Sequence, residues 1–99
     1  MVRFLLDQLD DPEVSARAMF GGHGIYRNGR MFALVYDEAV YMKVSDDEAE
    51  TSERPPFRPN ANQTIRSFRE VDADELEDPD ALAALLEEAE RAATPPRKR

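Results

Sequence analysis

The segment Gly24-Ile25-Tyr26-Arg27-Asn28-Gly29-Arg30-Met31-Phe32-Ala33-Leu34-Val35-Tyr36 constrains the fold more than any other part of the chain. Asn-Gly tolerates the positive φ angles of a two-residue type I′ turn, and β-branched and aromatic residues flank it on both sides. The chain therefore folds back here as a β-hairpin. A second turn at Asp37-Glu38-Ala39 leads into Val40-Tyr41-Met42-Lys43-Val44 and completes a three-stranded antiparallel meander. Pairing across Asn28-Gly29 sets Arg27 opposite Arg30, Tyr26 opposite Met31 and Ile25 opposite Phe32. Pairing across Asp37-Glu38 sets Val35 opposite Val40 and Leu34 opposite Tyr41. One face then carries Tyr26, Met31, Ala33, Val35, Val40, Met42 and Val44. The other carries Ile25, Phe32, Leu34, Tyr36, Tyr41 and Lys43. Both faces are rich in apolar groups, whereas a sheet with one wet face alternates apolar with polar. The pattern predicts cover on both sides.

The flanking segments supply that cover. Val2, Leu5, Leu6 and Leu9 recur at i, i+3, i+4 and i+7, so Arg3 to Leu9 reads as a short amphipathic helix. Asp10-Asp11-Pro12 ends it, because proline disfavours a helical residue before it. Ser15 to Phe20 leads into the hairpin. Ser45, with Glu48 three residues on, has the form of a capping box and opens a short surface helix that runs toward Glu53. Pro55, Pro56 and Pro59 cannot donate to a ladder, which restricts their segment to an edge strand around Phe57. Thr64 to Val71 alternates as a further strand. Asp78-Pro79 is an N-cap followed by a first-turn proline. It opens a helix whose stripe is Leu82, Leu85, Leu86, Ala89 and Ala93, and Thr94-Pro95-Pro96 ends it. The resulting order is α-β(3)-α-β(2)-α, a two-layer α+β domain with helices on an antiparallel sheet. A chain of 99 residues suits one such domain over residues 1–94, with a basic tail at 95–99 that ends in Arg97-Lys98-Arg99.

Composition removes several kinds of chemistry. The chain has no cysteine, which excludes disulfides, thiolate catalysis and cysteine-ligated zinc. Its first residues break their apolar patch at Asp7, too early for a signal peptide or a membrane span, so a cytoplasmic location is expected. Net charge is −8, with 21 acids against 13 bases, and such a balance repels a polyanionic backbone. No metal set is expected: Asp46, Asp47, Glu48 and Glu50 lack the glycine and spacing of a calcium loop and read as the wet face of a helix. Gly21, Gly22 and Gly24 surround the single histidine, His23, but they open a strand rather than a helix and no Gly-Lys-Ser/Thr follows. They do not form a phosphate cradle. A tight bend or the close approach of another backbone accounts for them. His23 has no neighbouring nucleophile motif, so neither catalytic residues nor a cofactor is assigned.

What remains are candidates for interaction. Lys43 lies amid apolar neighbours and must extend outward or find a partner. Tyr41 and Phe32 share its expected face. Arg27 and Arg30 flank the hairpin turn, and Arg17 precedes the hairpin.

These residues also carry a resemblance. Arg17, Met19, Phe20, Gly21, Gly22, Gly24, Ile25 and Tyr26 match the pattern Arg-x-Met-Phe-Gly-Gly-x-Gly-Ile-Tyr of the TfoX (Sxy) N-terminal domain family. Gly29, Met31, Phe32, Ala33, Tyr41, Lys43 and Val44 continue the match, and a Leu-rich C-terminal helix closes it. The resemblance implies a secretion-chaperone-like two-layer fold of order α-β(3)-α-β(2)-α. It also implies a link to transcriptional regulation of DNA-uptake competence, and it brings no catalytic residues with it. The expectation is a non-enzymatic protein-interaction module, plausible as a regulator, that pairs with a protein partner or with itself through the sheet. Nucleic acid then enters only through a partner. The alternatives are direct nucleic-acid binding through Arg27, Arg30 and the tail, and a small-molecule or enzymatic site near His23.

Overall fold

The structure is a computed structural model and describes residues 2–19 and 21–93. The expected basic tail therefore lies outside the described residues. Helix α1 (Val2–Leu9) leads into strands β1 (Val14–Met19), β2 (Gly22–Arg27), β3 (Arg30–Tyr36) and β4 (Ala39–Lys43). Helix α2 (Asp46–Thr51) precedes β5 (Pro56–Asn60) and β6 (Gln63–Glu70), and the single-turn α3 (Ala73–Leu76) and α4 (Pro79–Ala93) follow. The strands form one antiparallel sheet in the order β1-β2-β3-β4-β6-β5. The α+β, two-layer architecture is the expected one, with one strand and one short helix more than the pattern predicts. Strand β1 escapes a periodicity reading because its inward positions are Val14 and two alanines, too small to give a clear apolar signal.

Both expected turns are present. Asn28 and Gly29 take φ of 54° and 79°, and Asp37 and Glu38 take 52° and 65°. Both are therefore left-handed two-residue turns, but the second is built without glycine. Register across it is as expected, with Val35 opposite Val40 and Leu34 opposite Tyr41. Across the first turn Arg27 faces Arg30 and Tyr26 faces Met31, but Ile25 then faces Ala33 rather than Phe32. A β-bulge makes Phe32 the extra residue. A bulge breaks the two-residue alternation, so the predicted faces exchange members. Ile25 and Phe32 join Ala33, Val35, Val40 and Met42 beneath the helices, while Met31 joins Leu34, Tyr36 and Tyr41 on the other side.

The main core lies between sheet and helices. Leu5 of α1, Leu76 of α3 and Leu82, Leu86 and Ala89 of α4 pack onto those strand residues. Asp78 caps α4, its Oδ1 accepting from the N–H groups of Asp80 and Ala81 at 3.1 and 3.2 Å. Ser45 caps α2, its Oγ accepting from the Glu48 N–H. The opposite face has a smaller cluster instead of a helix layer. Phe57 of the edge strand meets Tyr36 and Tyr41 with ring centroids 5.3 and 5.1 Å apart. The Tyr36 hydroxyl donates to the Pro59 carbonyl at 3.2 Å. Two strands separate β3 from β5 in the ladder, so these contacts require the β5–β6 end of the sheet to curl over this face.

One buried charge fastens the α2–β5 connection. Arg69 is 6% exposed and sits on β6 under α2. Its guanidinium donates to the carbonyls of Arg66, Ser52, Arg54 and Ala49 at 2.8, 3.0, 2.8 and 2.6 Å. Carbonyls left without intrahelical partners at the end of α2 thus receive a cation, the sign favoured there. Arg69→Ala leaves several carbonyls unpaired and is expected to cost about 2–4 kcal/mol in urea unfolding, whereas exposed Arg58→Ala costs less than about 0.5. Each non-glycine residue held in the left-handed region costs about 1–2 kcal/mol, so Glu38→Gly is expected to stabilise the chain by about 1 kcal/mol in the same assay.

Candidate functional site

The bulge and the curl together define the helix-free face. Reading the register across the sheet, Arg17 lies opposite Gly24, Gly24 opposite Leu34, Leu34 opposite Tyr41, and Tyr41 opposite Glu70. In antiparallel strands directly opposed residues share a face, so these five form one row. Leu34 is buried in it, and Tyr41 is half-buried. A neighbouring pair sets Lys43 opposite Phe68, with the Lys43 Nζ 5.9 Å from the ring centroid. Arg17 lies 5.1 Å over the Tyr26 ring in the same way. Cations over aromatic rings at these distances are attracted by the ring quadrupole.

Gly24 is the notch in this row. A Cβ there would lie 2.7 Å from the Met31 sulfur, 2.8 Å from the Met19 sulfur and 2.9 Å from Tyr26 Cε1. Hydrogen at that position is what lets two methionines and a tyrosine close over the strand. Gly22 has a different reason, since its Cβ would meet the Val35 carbonyl oxygen at 2.2 Å. Gly21, at φ 81°, makes the bend. The face thus combines adaptable thioethers, half-exposed tyrosines and two cations, a mixture that suits protein contact.

The candidates named from sequence divide between the two sides of the sheet. Arg17, Tyr41 and Lys43 share the helix-free face, Arg17 on β1 and the other two on β4. Phe32 does not: the bulge turns it into the core on the helix side at 2% exposure, away from that face. Arg27 is also drawn away, pairing with Asp11 and, at 3.6 Å, with Glu90. A guanidinium engaged by two carboxylates is not presented to a phosphate. Arg30 stays exposed at the turn. Met19, Tyr26 and Met31 complete the face: Tyr26 faces Met31 as expected, but the bulge is what sets them beside Leu34 and Tyr41, and β1 is what brings Met19.

The space beside His23, lined by Met19, Gly22, Leu34, Tyr36 and Phe57, holds only about 20 Å³. That volume is enough for about one water and far short of a ligand pocket of about 300 Å³ or more. A larger, open cleft of about 440 Å³ lies on the helix side between Leu9, Arg27, Phe32, Leu86 and Glu90. Among the described residues no group of three His, Cys, Asp or Glu side chains is placed to hold a metal. No helix among them is long and apolar enough to cross a membrane.

Two groups are shifted by their surroundings, one on each side of the sheet. Burial, then the neighbouring charges of Glu70 and Asp37 and the Tyr36 phenol, pushes the Tyr41 phenol above its ordinary value of 10.0. On the helix side Arg54 donates to both carboxylate oxygens of Glu75 at 2.7 and 2.8 Å. That pairing holds Glu75 below its ordinary range, helped by the Asp72 N–H and opposed by burial.

Comparison with protein families gives a match to the model described as TfoX N-terminal domain, over residues 5–93. No relative is found among curated proteins.

The Tyr41 environment makes a direct prediction. Its folded-state value is raised, so its contribution to stability is complete below pH 10 and declines as pH rises from there through the folded value. In an ultraviolet titration, the difference between wild type and Tyr41→Phe is expected to place this ionisation above 10, and Glu70→Gln is expected to bring it down. An ionisation at or below 10 would contradict this description of the face.

Proposed function

The chain belongs to the TfoX N-terminal domain family, and from that premise we propose that it is a regulatory protein-interaction module acting in the control of transcription or DNA-uptake competence. The family is not a known enzyme family. The observation that carries the reading is the helix-free face, where Arg17 and Lys43 lie over aromatic rings beside Met19, Met31 and Tyr41.

The chemistry of that face fits a protein partner that brings carboxylates among apolar side chains. Its cations are already partly desolvated against aromatic rings, so an incoming carboxylate meets a charge that has less water to lose. Its methionines can repack around more than one shape. Nucleic acid enters through the partner on this reading. The chain carries −8 overall, and Arg27 is occupied by Asp11 and Glu90.

Lys43→Glu reverses the central charge at a half-exposed position and is expected to leave the fold intact by circular dichroism. Affinity capture from the native cell, read by mass spectrometry, is expected to recover proteins with wild type that this variant loses by roughly tenfold or more, the scale of a charge pair turned repulsive. Identical captured sets would contradict the reading. So would binding of duplex DNA by the purified chain alone, with affinity falling steeply as salt rises.

A further inference from the structure

The sheet has two edges, and only one of them is closed to further pairing. At the β5 edge Pro56 and Pro59 lack N–H donors, and the β5–β6 ladder has register shifts on both sides of Phe57. Prolines and irregular register are the usual ways in which proteins blunt an edge strand. Strand β1, at the other end, has neither. It is six residues, Val14-Ser15-Ala16-Arg17-Ala18-Met19, paired with β2 in unbroken register.

The direction of its free backbone groups can be read from the ladder. In antiparallel strands alternate residues bond to the same neighbour. The Val14 N–H donates to the Asp11 carbonyl at 3.1 Å instead of across to β2. Met19 pairs with Gly22 across a two-residue connection, and the pair closing such a connection bonds inward. Both facts give the same phase. Ala16 and Ala18 direct their N–H and C=O groups toward the open edge, and Val14 directs its C=O there.

We propose that β1 pairs with β1 of a second copy of this chain, antiparallel about a two-fold axis at Ala16. This register opposes Ala16 to Ala16 and Val14 to Ala18 of the other copy, and of the outward groups it leaves the Ala18 C=O, at each end of the seam, to solvent. Each Ala16 N–H meets the other Ala16 C=O, and each Ala18 N–H meets the other Val14 C=O. The Val14 N–H, which this arrangement does not use, is the one already satisfied by Asp11.

Charge selects the same register. Ser15 and Arg17 lie on the helix-free face of β1, and Glu13 precedes the strand in the same alternation. With the axis at Ala16, Arg17 stands opposite Ser15 of the second copy and diagonal to its Glu13, within reach for long side chains. Moving the axis to Arg17 would oppose two arginines. The symmetric seam therefore carries two Glu13–Arg17 contacts. It also lies at the opposite end of the sheet from α2, with its Asp46, Asp47 and Glu48, so the strongly acidic flank is kept apart in the pair.

The inference concerns the edge and shares only Arg17 with the partner-binding reading of the face, which Lys43 tests separately. A chain that stays monomeric yet captures its partner through Lys43 would overturn the inference alone. Sedimentation velocity over a concentration series tests it with three samples of the full chain. Wild type is expected to dimerise. Arg17→Glu and Glu13→Arg each set like charges across the seam and are each expected to weaken dimerisation roughly tenfold or more. An equimolar mixture of the two variants is expected to regain wild-type association, because every seam contact then joins opposite signs again. That recovery also shows that both variants fold. A wild-type chain that stays monomeric, variants that dimerise as well as wild type, or a mixture that does not recover would each overturn the proposal.

Discussion

Between Met31, which faces Tyr26, and Ala33, which faces Ile25, β3 holds one residue more than β2 does over the same span, and that residue is Phe32. The architecture depends on this. Without the bulge Phe32 and Ile25 would share the face of Leu34 and Tyr41, and Tyr26 and Met31 would lie under the helices. With it, the bulky aliphatic and aromatic groups Ile25 and Phe32 fill the main core against Leu5, Leu82 and Leu86. Met31 and Tyr26 are released to the other side, where they close over Gly24. One inserted residue thus sets both the composition of the core and the chemistry of the open face.

The helix layer is held by polar groups as well as by its apolar stripe. Arg69 collects the carbonyls of the α2–β5 connection, and Arg54 bridges that connection to Glu75 at the start of α3. Two arginines from a strongly acidic chain are thereby used to fix the acidic side in place. Asp11 and Glu90 hold Arg27 in a comparable way at the far end of α4. The cations left on the helix-free face, Arg17 and Lys43, are those that rest on rings rather than on carboxylates. The division of charge between the two sides follows from these pairings more than from net composition.

Much of this was legible in the residues. Asn28-Gly29 announces its hairpin because few other pairs adopt two positive φ values at low cost, and Ser45, Asp78 and the leucine stripe of α4 mark their helices through capping and period. Prolines identified β5 as an edge. The bulge was not legible, since nothing in Tyr26-Arg27-Asn28-Gly29-Arg30-Met31 distinguishes a regular ladder from one that slips a residue later at Phe32. That single slip misplaced Phe32 among the interaction candidates. Strand β1 and α3 were missed for a different reason: alanine carries little pattern, and one turn of helix is too short to show a period. The burial of Arg69 depends on tertiary approach of α2, which no local rule reports.

Interaction belongs to the open sheet side of the molecule on this reading, and a supporting role to the helix side. Site-specific photocrosslinking in the native cell separates the two most directly. A photoreactive residue is placed at Lys43 on the open face or at Glu87 on the exposed side of α4. A covalent adduct with another protein is expected from position 43 and none from position 87. Adducts from position 87 with none from position 43 would contradict this reading.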